Sequence, residues 1–356
     1  MLTRLLILMA LMGLARPALP CTTFLLADGD DYVVGKSYDW DIGYGFAVFN
    51  KRGMVKQALP LGPGMKPATW TAKYASLTFN QFGREFPLSG MNEKGLVIEI
   101  MWLNASRFPK PDTRPIINEL QWIQHQLDTC KNVDEMVKRA GEHTVLSVYG
   151  KVHYLACDGS GRCAAFEYLD GKLKVTPPKK LKTPTLTNNS YAESALFLSG
   201  HKGYGGKQTI PKGKGSLARF VRASALAHKL GTTPGDRVAE AFSILDSVSM
   251  GDYSKWNLVY DISAKKIHFR SRGHWQIKTV NFSHFDKSCR SPAMVLDMNQ
   301  DLKGDVTDQF TPHSLAANRA LVKKSLANIQ SHLPKGTDES LARFPESFGC
   351  SLKNQP

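Results

Sequence analysis

No zinc-finger spacing, RNP motif or Walker loop occurs in the 356 residues, and no segment repeats or falls into low complexity. These absences remove the common nucleic-acid, nucleotide-binding and solenoid classes. Acidic residues are scarce beside basic ones, 31 against 46, for a formal charge of +15. Such an excess raises the expectation of a nucleic acid, an anionic surface or an anionic ligand. The lysines are scattered, however, with loose clusters only at Lys179, Lys180 and Lys182 and at Lys212 and Lys214. We expect a basic soluble surface compatible with an anionic substrate, and no nucleic-acid partner. The apolar run at 5–12 is too short to span a bilayer, so an integral membrane protein is not expected. Cysteine is sparse, six in all, and the spacings suggest neither a zinc site nor a papain-type Cys–His signature.

What is present begins at the N-terminus. Arg4, the apolar run and a stretch of small residues and prolines form the n-, h- and c-regions of a secretory leader over residues 1–20. Its end places Cys21 first in the mature chain. A cysteine in that position carries a thiol and a free α-amine, so one residue supplies nucleophile and general base. Pro20 is a poor cleavage position and Ala18 a better one. Two routes stand open: direct cleavage at Cys21, or cleavage after Ala18 followed by loss of Leu19 and Pro20. A lipid-anchored or buried structural Cys21 are the competing readings. Export to the periplasm or medium implies an oxidising compartment. Cys157 and Cys163 flank a glycine turn and could face each other across a hairpin. Cys289 and Cys350 could tie down the C-terminal segment, which leaves Cys130 as a buried hydrophobe. Connectivity is not fixed by sequence.

Hydrophobic patterning predicts strands at 22–26 and 32–38, a strand buried on both faces at 96–103, and hairpins at 154–157/163–168 and 258–262/266–271. Helices are predicted over about 116–140, over 216–230 with Ser216 as cap, from Thr233-Pro234 to about Val248, and over 312–333. Residues 60–69 and 200–215 read as loops bordering a cleft. Strands at both ends with helices between them give a layered α+β domain.

Six short motifs then stand in one order: Cys21-Thr22-Thr23-Phe24 after a leader; Gly35-Lys36-Ser37-Tyr38-Asp39-Trp40; Gly90-Met91-Asn92-Glu93-Lys94-Gly95-Leu96; Thr187-Asn188-Asn189; Ser216-Leu217-Ala218-Arg219-Phe220-Val221-Arg222; and Trp256-Asn257-Leu258-Val259-Tyr260-Asp261. In these, from Cys21 to about Ser271, the chain resembles the choloylglycine hydrolase family of N-terminal-nucleophile hydrolases. The exported leader and Cys-Thr-Thr-Phe start look more like its Gram-negative penicillin V acylase branch than its cytoplasmic bile-salt hydrolases. The resemblance implies a four-layer αββα fold and a single catalytic domain over 21–356 with a helical C-terminal extension. It implies hydrolysis of a small N-acyl amide through a thioester, with no cofactor and no metal.

The resemblance also assigns roles. Cys21 would be the nucleophile and Asp39 the holder of its α-amine. Asn188 would give a side-chain N–H to the oxyanion, with Asn189 the choice if the register slips by one, and the Trp102 backbone N–H would be the second donor. Arg219 would favour the thiolate. Lys36 stands where the family usually has arginine, keeping the charge but not the planar fork. Aromatic lining is expected around Tyr44, Phe46 and Trp102. Substrates left open are aryloxyacetyl penicillins, conjugated bile salts, N-acyl homoserine lactones and N-acyl amino acids. A catalytically impaired exported binding protein is the rival, and oligomeric state is unreadable.

Overall fold

Alternation of buried side chains along the first two strands builds the architecture. Phe24, Leu26 and Val33 pack to one side with the helix residues Ala223, Ala241, Phe242 and Leu245, whereas Cys21, Leu25, Val34 and Tyr38 join the core on the other side. A strand covered on both faces reads as a nearly continuous apolar run, as these do. The computed structural model describes residues 21–232, 234–328 and 333–351. The expected leader at 1–20 lies outside the described residues.

One sheet has seven strands in the order β14 (Thr185–Leu186), β1 (Thr22–Asp28), β2 (Asp31–Asp39), β15 (Ser254–Asp261), β16 (Lys266–Ser271), β17 (His274–Asn281) and β19 (Gly304–Asp305). The second has nine: β13 (Lys172–Thr176), β12 (Cys163–Leu169), β11 (Val152–Cys157), β8 (Val97–Trp102), β7 (Pro87–Asn92), β6 (Ser76–Asn80), β3 (Phe46–Asn50), β18 (Met294–Asp297) and β20 (Thr311–Pro312). Two small sheets join β9 (Ile116–Asn118) to β10 (Thr144–Leu146), and β4 (Met54–Gln57) to β5 (Thr69–Thr71) and β21 (Gly349–Cys350). The two large sheets stack through aromatic contacts such as Phe79 with Tyr260 and Phe269. Helices α4 (Ser216–Leu230) and α5 (Arg237–Ser247) cover the first sheet, with α3 (Tyr191–Ser199) beside α4. The second sheet is covered by α1 (Glu119–Thr129), which lies on β7, and by α6 (Leu315–Leu326) over Phe46, Val48 and Val295. The order is therefore helix, sheet, sheet, helix.

Four boundaries differ from the sequence reading. The stretch 116–140 is not one helix. Its two isoleucines pair in β9, Asn118 caps α1, Cys130 is extended, and Asn132 caps α2 (Val133–Arg139). Asparagine side chains accepting from helix N-termini set both starts. Ser216 is the first helical residue of α4, not its cap, which is Gly215. The next helix starts at Arg237 behind the cap Asp236, so Pro234 precedes it, and Thr233 lies outside the described residues. In the tail, Pro312 belongs to β20. Ser314 caps α6, and α7 (Thr337–Arg343) is separate; residues 329–332 are not among those described. The cysteines stand as expected: Cys157–Cys163 and Cys289–Cys350 are disulfides, and Cys21 and Cys130 are free and buried.

The tail braces the segment between β6 and β7. Asn318, wholly buried, accepts from Arg84 N–H at 2.9 Å and donates to Ala342 C=O at 2.8 Å. Gly83 has φ +96° with Val322 against it, so only glycine fits that turn. The same segment carries Phe82, whose ring centroid lies 5.0 Å from that of Tyr149. Replacing Asn318 by alanine strands a buried N–H and a buried C=O. The expected loss is about 1–3 kcal/mol for each unpaired group, read as a lowered Tm.

Candidate active site

Three neighbouring strands deliver the central residues. Cys21 precedes β1, whose Thr22 and Thr23 pair with Ser37 and Lys36 of β2, and Asp39 at the end of β2 pairs with Ser254 of β15. The Cys21 thiol lies 3.9 Å from the Asp39 carbonyl oxygen. Burial pushes the thiol above its ordinary pKa. Lys36 pulls it back down, Asp39 adds to the rise, and Arg219 pulls down again.

Asp39 is fully buried. Its Oδ1 accepts from Ser37 Oγ at 2.7 Å and Ser254 Oγ at 2.5 Å, while Oδ2 has no hydrogen-bond partner among the described residues. Burial raises this carboxyl to about 6; the two hydroxyls, Arg219 and Lys36 oppose the rise. A buried oxygen with no donor costs free energy, and here it belongs to the residue beside the candidate nucleophile.

Arg219 is buried on α4 and ties the pieces together. It donates to the Cys21 carbonyl at 2.7 Å, Thr22 Oγ1 at 2.6 Å, Asn188 Oδ1 at 2.8 Å and the Lys214 carbonyl at 3.0 Å. This guanidinium is a core fork and not the surface charge its amphipathic helix allows. Arg222, one turn on, takes the peripheral role, donating to Ser247, Pro211 and Gly213 carbonyls.

Asn188 follows β14 and precedes α3, which starts with a capping box of Ser190 and Glu193. Its backbone N–H donates to Ser216 Oγ at 2.9 Å, so the β14–α3 junction is pinned to the start of α4. With Oδ1 held by Arg219, the amide must turn Nδ2 the other way, and it donates to the Trp102 carbonyl at 2.9 Å. Asn189 is half-buried next to it and does not make this bridge. Trp102 ends β8. Leu103 N–H donates to Lys151 C=O, so by alternation Trp102 turns its own N–H and C=O away from β11. The paired part of β7 stops at Ser89–Glu99, which leaves that edge of β8 facing the site.

Lys36 sits on the same inward face but reaches β8, not Asp39. Its Nζ donates to the Ile100 carbonyl and lies 3.3 Å from Met101 Sδ and 3.9 Å from Glu99 Oε2.

The aromatic lining differs from expectation. Phe46 points outward into the cluster under α6, because its strand alternates Phe46 and Val48 to that side. Tyr44 is 44% exposed, with the Lys324 ammonium over its ring. Trp102 does join an aromatic wall, packed on Trp40 at 5.9 Å, and Trp40 meets Tyr149 at 5.4 Å. Tyr38 stacks on Trp256 at 4.5 Å and donates to Gln81 at 2.8 Å. Buried Glu119 and half-buried Gly150 set the wall. Glu119 accepts backbone N–H groups from Val148, Tyr149 and Gly150, and a Cβ on Gly150 would sit 2.3 Å from the Trp102 ring. Sequence reading missed Trp40, Phe82, Tyr149, Glu119 and Ser254. Only Trp40, next to Asp39, carried a local signal. Among the described residues, no group of three or more His, Cys, Asp or Glu is placed to hold a metal ion, and no helix is long and apolar enough to cross a membrane.

Removing Ser254 Oγ takes a hydrogen bond from ionised Asp39 and raises its pKa. The acid limb of any Cys21-dependent activity is therefore expected to move to higher pH in Ser254→Ala, by up to about one unit. The pH profile of kcat/KM checks it.

Two stacked sheets covered by helices, with a cysteine heading a central strand, are the frame of the N-terminal-nucleophile hydrolases. Residues 21–295 match the profile of the linear amide C–N hydrolases of the choloylglycine hydrolase family, and the chain belongs to that family. A penicillin V acylase from Pectobacterium atrosepticum is 27% identical over 347 residues, 83% of this chain and 91% of that protein. The structure is similar to that of penicillin V acylase from Agrobacterium tumefaciens, with TM-score 0.73 and 24% identity, covering 83% of this chain and 98% of the other. It is also similar to a variant of the conjugated bile acid hydrolase from Clostridium perfringens, with TM-score 0.67 and 17% identity over 80% and 99% of the two chains. At these identities the two structures speak for the fold. The protein is a hydrolase of linear amide bonds.

Proposed function

We propose that the chain is exported, loses residues 1–20, and uses the N-terminal Cys21 to hydrolyse N-acyl amides as a penicillin V acylase-like enzyme. The observation that carries this reading is Asp39 Oδ2, buried beside Cys21 and without a hydrogen-bond partner among the described residues. An α-ammonium on Cys21 is the donor such an oxygen lacks. Two disulfides suit an oxidising compartment.

In this reading the α-amine, with an unperturbed pKa near ~8, takes the thiol proton directly or through one water. The thiolate attacks the amide carbon and a C–S bond forms. Asn188 Nδ2 and the Trp102 N–H stabilise the oxyanion; an amide NH₂ has two hydrogens, and the one held by the Trp102 carbonyl fixes the plane of the other. The C–N bond breaks as the leaving amine takes the proton back. Water, deprotonated by the same amine, then adds to the thioester, and the C–S bond breaks to release the acid. The tilted aromatic rings of Trp40, Trp102, Tyr149 and Phe82 offer faces and edges that suit an aromatic acyl group. A leaving amine that bears a carboxylate suits the basic surface.

The test is acid release from a panel of phenoxyacetyl penicillin, N-acyl homoserine lactones, glycine-conjugated bile salts and N-acyl amino acids, using exported protein. Release is expected to be fastest from the phenoxyacetyl amide. Binding without release of any acid would leave an exported binding protein of the same fold.

A further inference from the structure

The deeply buried Lys36 raises the question of what holds its ammonium in place. Lys36 is 1% exposed, and an unpaired charge at such depth is costly. Its partner comes from the opposite sheet. Glu99 interrupts an otherwise apolar β8 and is also 1% exposed, with Oε2 3.9 Å from Lys36 Nζ. The other oxygen accepts from Ser89 Oγ at 2.5 Å, and Ser89 Oγ is hydrogen-bonded to the Tyr260 hydroxyl. Glu99, Ser89, Tyr260 and Lys36 thus form a polar bridge between the sheets. Next along β8, the Ile100 carbonyl and Met101 Sδ complete the cradle of the ammonium.

We propose that Glu99 is a positioning residue for the nucleophile: it holds the Lys36 ammonium in place from the opposite sheet, and Lys36 in turn favours the Cys21 thiolate. Lys36 is the foremost influence opposing the rise that burial imposes on the thiol. The charged or titratable groups acting on Cys21 are Lys36, Asp39 and Arg219, with Tyr38 and Tyr149 nearby; those at Glu99 are Lys36 and Tyr260. Burial moves Glu99 up to about 7 against the pull of Lys36 and its hydrogen bonds, so the carboxylate prevails above that pH. Replacing it by a neutral amide removes the carboxylate that holds the ammonium from the opposite sheet and leaves Asp39 as the nearby counter-charge. The lysine side chain is then no longer held against β8, and the thiol loses the nearby cation that opposes the rise from burial.

This rests on Cys21 being the reactive thiol of the proposed function, but its test does not need amide turnover. The rate of alkylation of the Cys21 peptide by iodoacetamide is followed by mass spectrometry against pH, and separately from Cys130. Glu99→Gln is expected to move the midpoint up by about one unit. Lys36→Met is expected to do the same, and the double variant no more than either alone. Thermal melting separates this from mere packing. Glu99→Gln/Lys36→Met buries no lone charge, so it regains the Tm lost in Glu99→Gln while its midpoint stays high. If Glu99→Gln does not fold, Ser89→Ala, which loosens the carboxylate without removing it, is expected to shift the midpoint in the same direction by less. An unchanged or lowered midpoint in the single variants, or shifts that add in the double variant, would overturn the proposal. Failure of the substrate panel with these shifts intact would instead reject the proposed N-acyl substrates alone.

Discussion

Replacing Cys21 by alanine is expected to reduce amide hydrolysis by at least about 10⁴-fold, the scale seen when a covalent nucleophile is removed. The second free thiol, Cys130, does not take its place: it is buried at the C-cap of α1, where burial raises it to about 11. The loss should fall on kcat, because Trp40, Trp102 and Tyr149 still offer the acyl group the same wall. The backbone carbonyl of residue 21 still receives Arg219, so the fold should persist. Substrate binding by calorimetry alongside kcat measurement checks both parts. A residual rate within tenfold of the unmodified enzyme would remove Cys21 from the chemistry.

The second large effect is expected at Asn188. Asn188→Asp retains the side-chain volume and an acceptor for Arg219 but has no N–H for an oxyanion. Loss of one such donor lowers kcat by about 10²–10³-fold, or about 2.7–4 kcal/mol of barrier stabilisation. Asn188→Ala should lose as much activity and also stability, because it leaves the buried Arg219 fork and the Trp102 carbonyl short of a partner. The pair of variants separates the roles. Both variants lose the donor to the Trp102 carbonyl, and Asn188→Ala also loses the acceptor for Arg219, so a fall in kcat common to both with the larger fall in Tm in Asn188→Ala assigns the oxyanion contact. Unchanged kcat in Asn188→Asp rejects it.

Much of this arrangement was legible in the sequence because it is local or periodic. The hairpin that brings Cys157 opposite Cys163 is announced by its glycine turn, and the doubly buried strand before Trp102 by an apolar run interrupted only by Glu99. The motif order carried the family. Three things were not legible. Ser254 reaches Asp39 from 215 residues away, with nothing in its own neighbourhood to mark it. Phe46 and Tyr44 looked like pocket aromatics, but alternation in a strand covered by α6 turns one outward, and the other lies on the surface under Lys324. The break in the 116–140 helix came from asparagine caps that compete with the helical period, at Asn118 and Asn132. Glu99 stood out as a charge in an apolar strand, yet its meaning depended on Lys36 from the facing sheet.

The decisive measurement is the intact mass and N-terminal peptide mass of the exported protein, acid-quenched during turnover of a phenoxyacetyl amide. A chain that begins at Cys21, with the acyl mass added on that residue and lost on standing with water, is the expected result. An active chain that keeps Leu19 and Pro20, or an acyl adduct on any other residue, would contradict the N-terminal-cysteine mechanism.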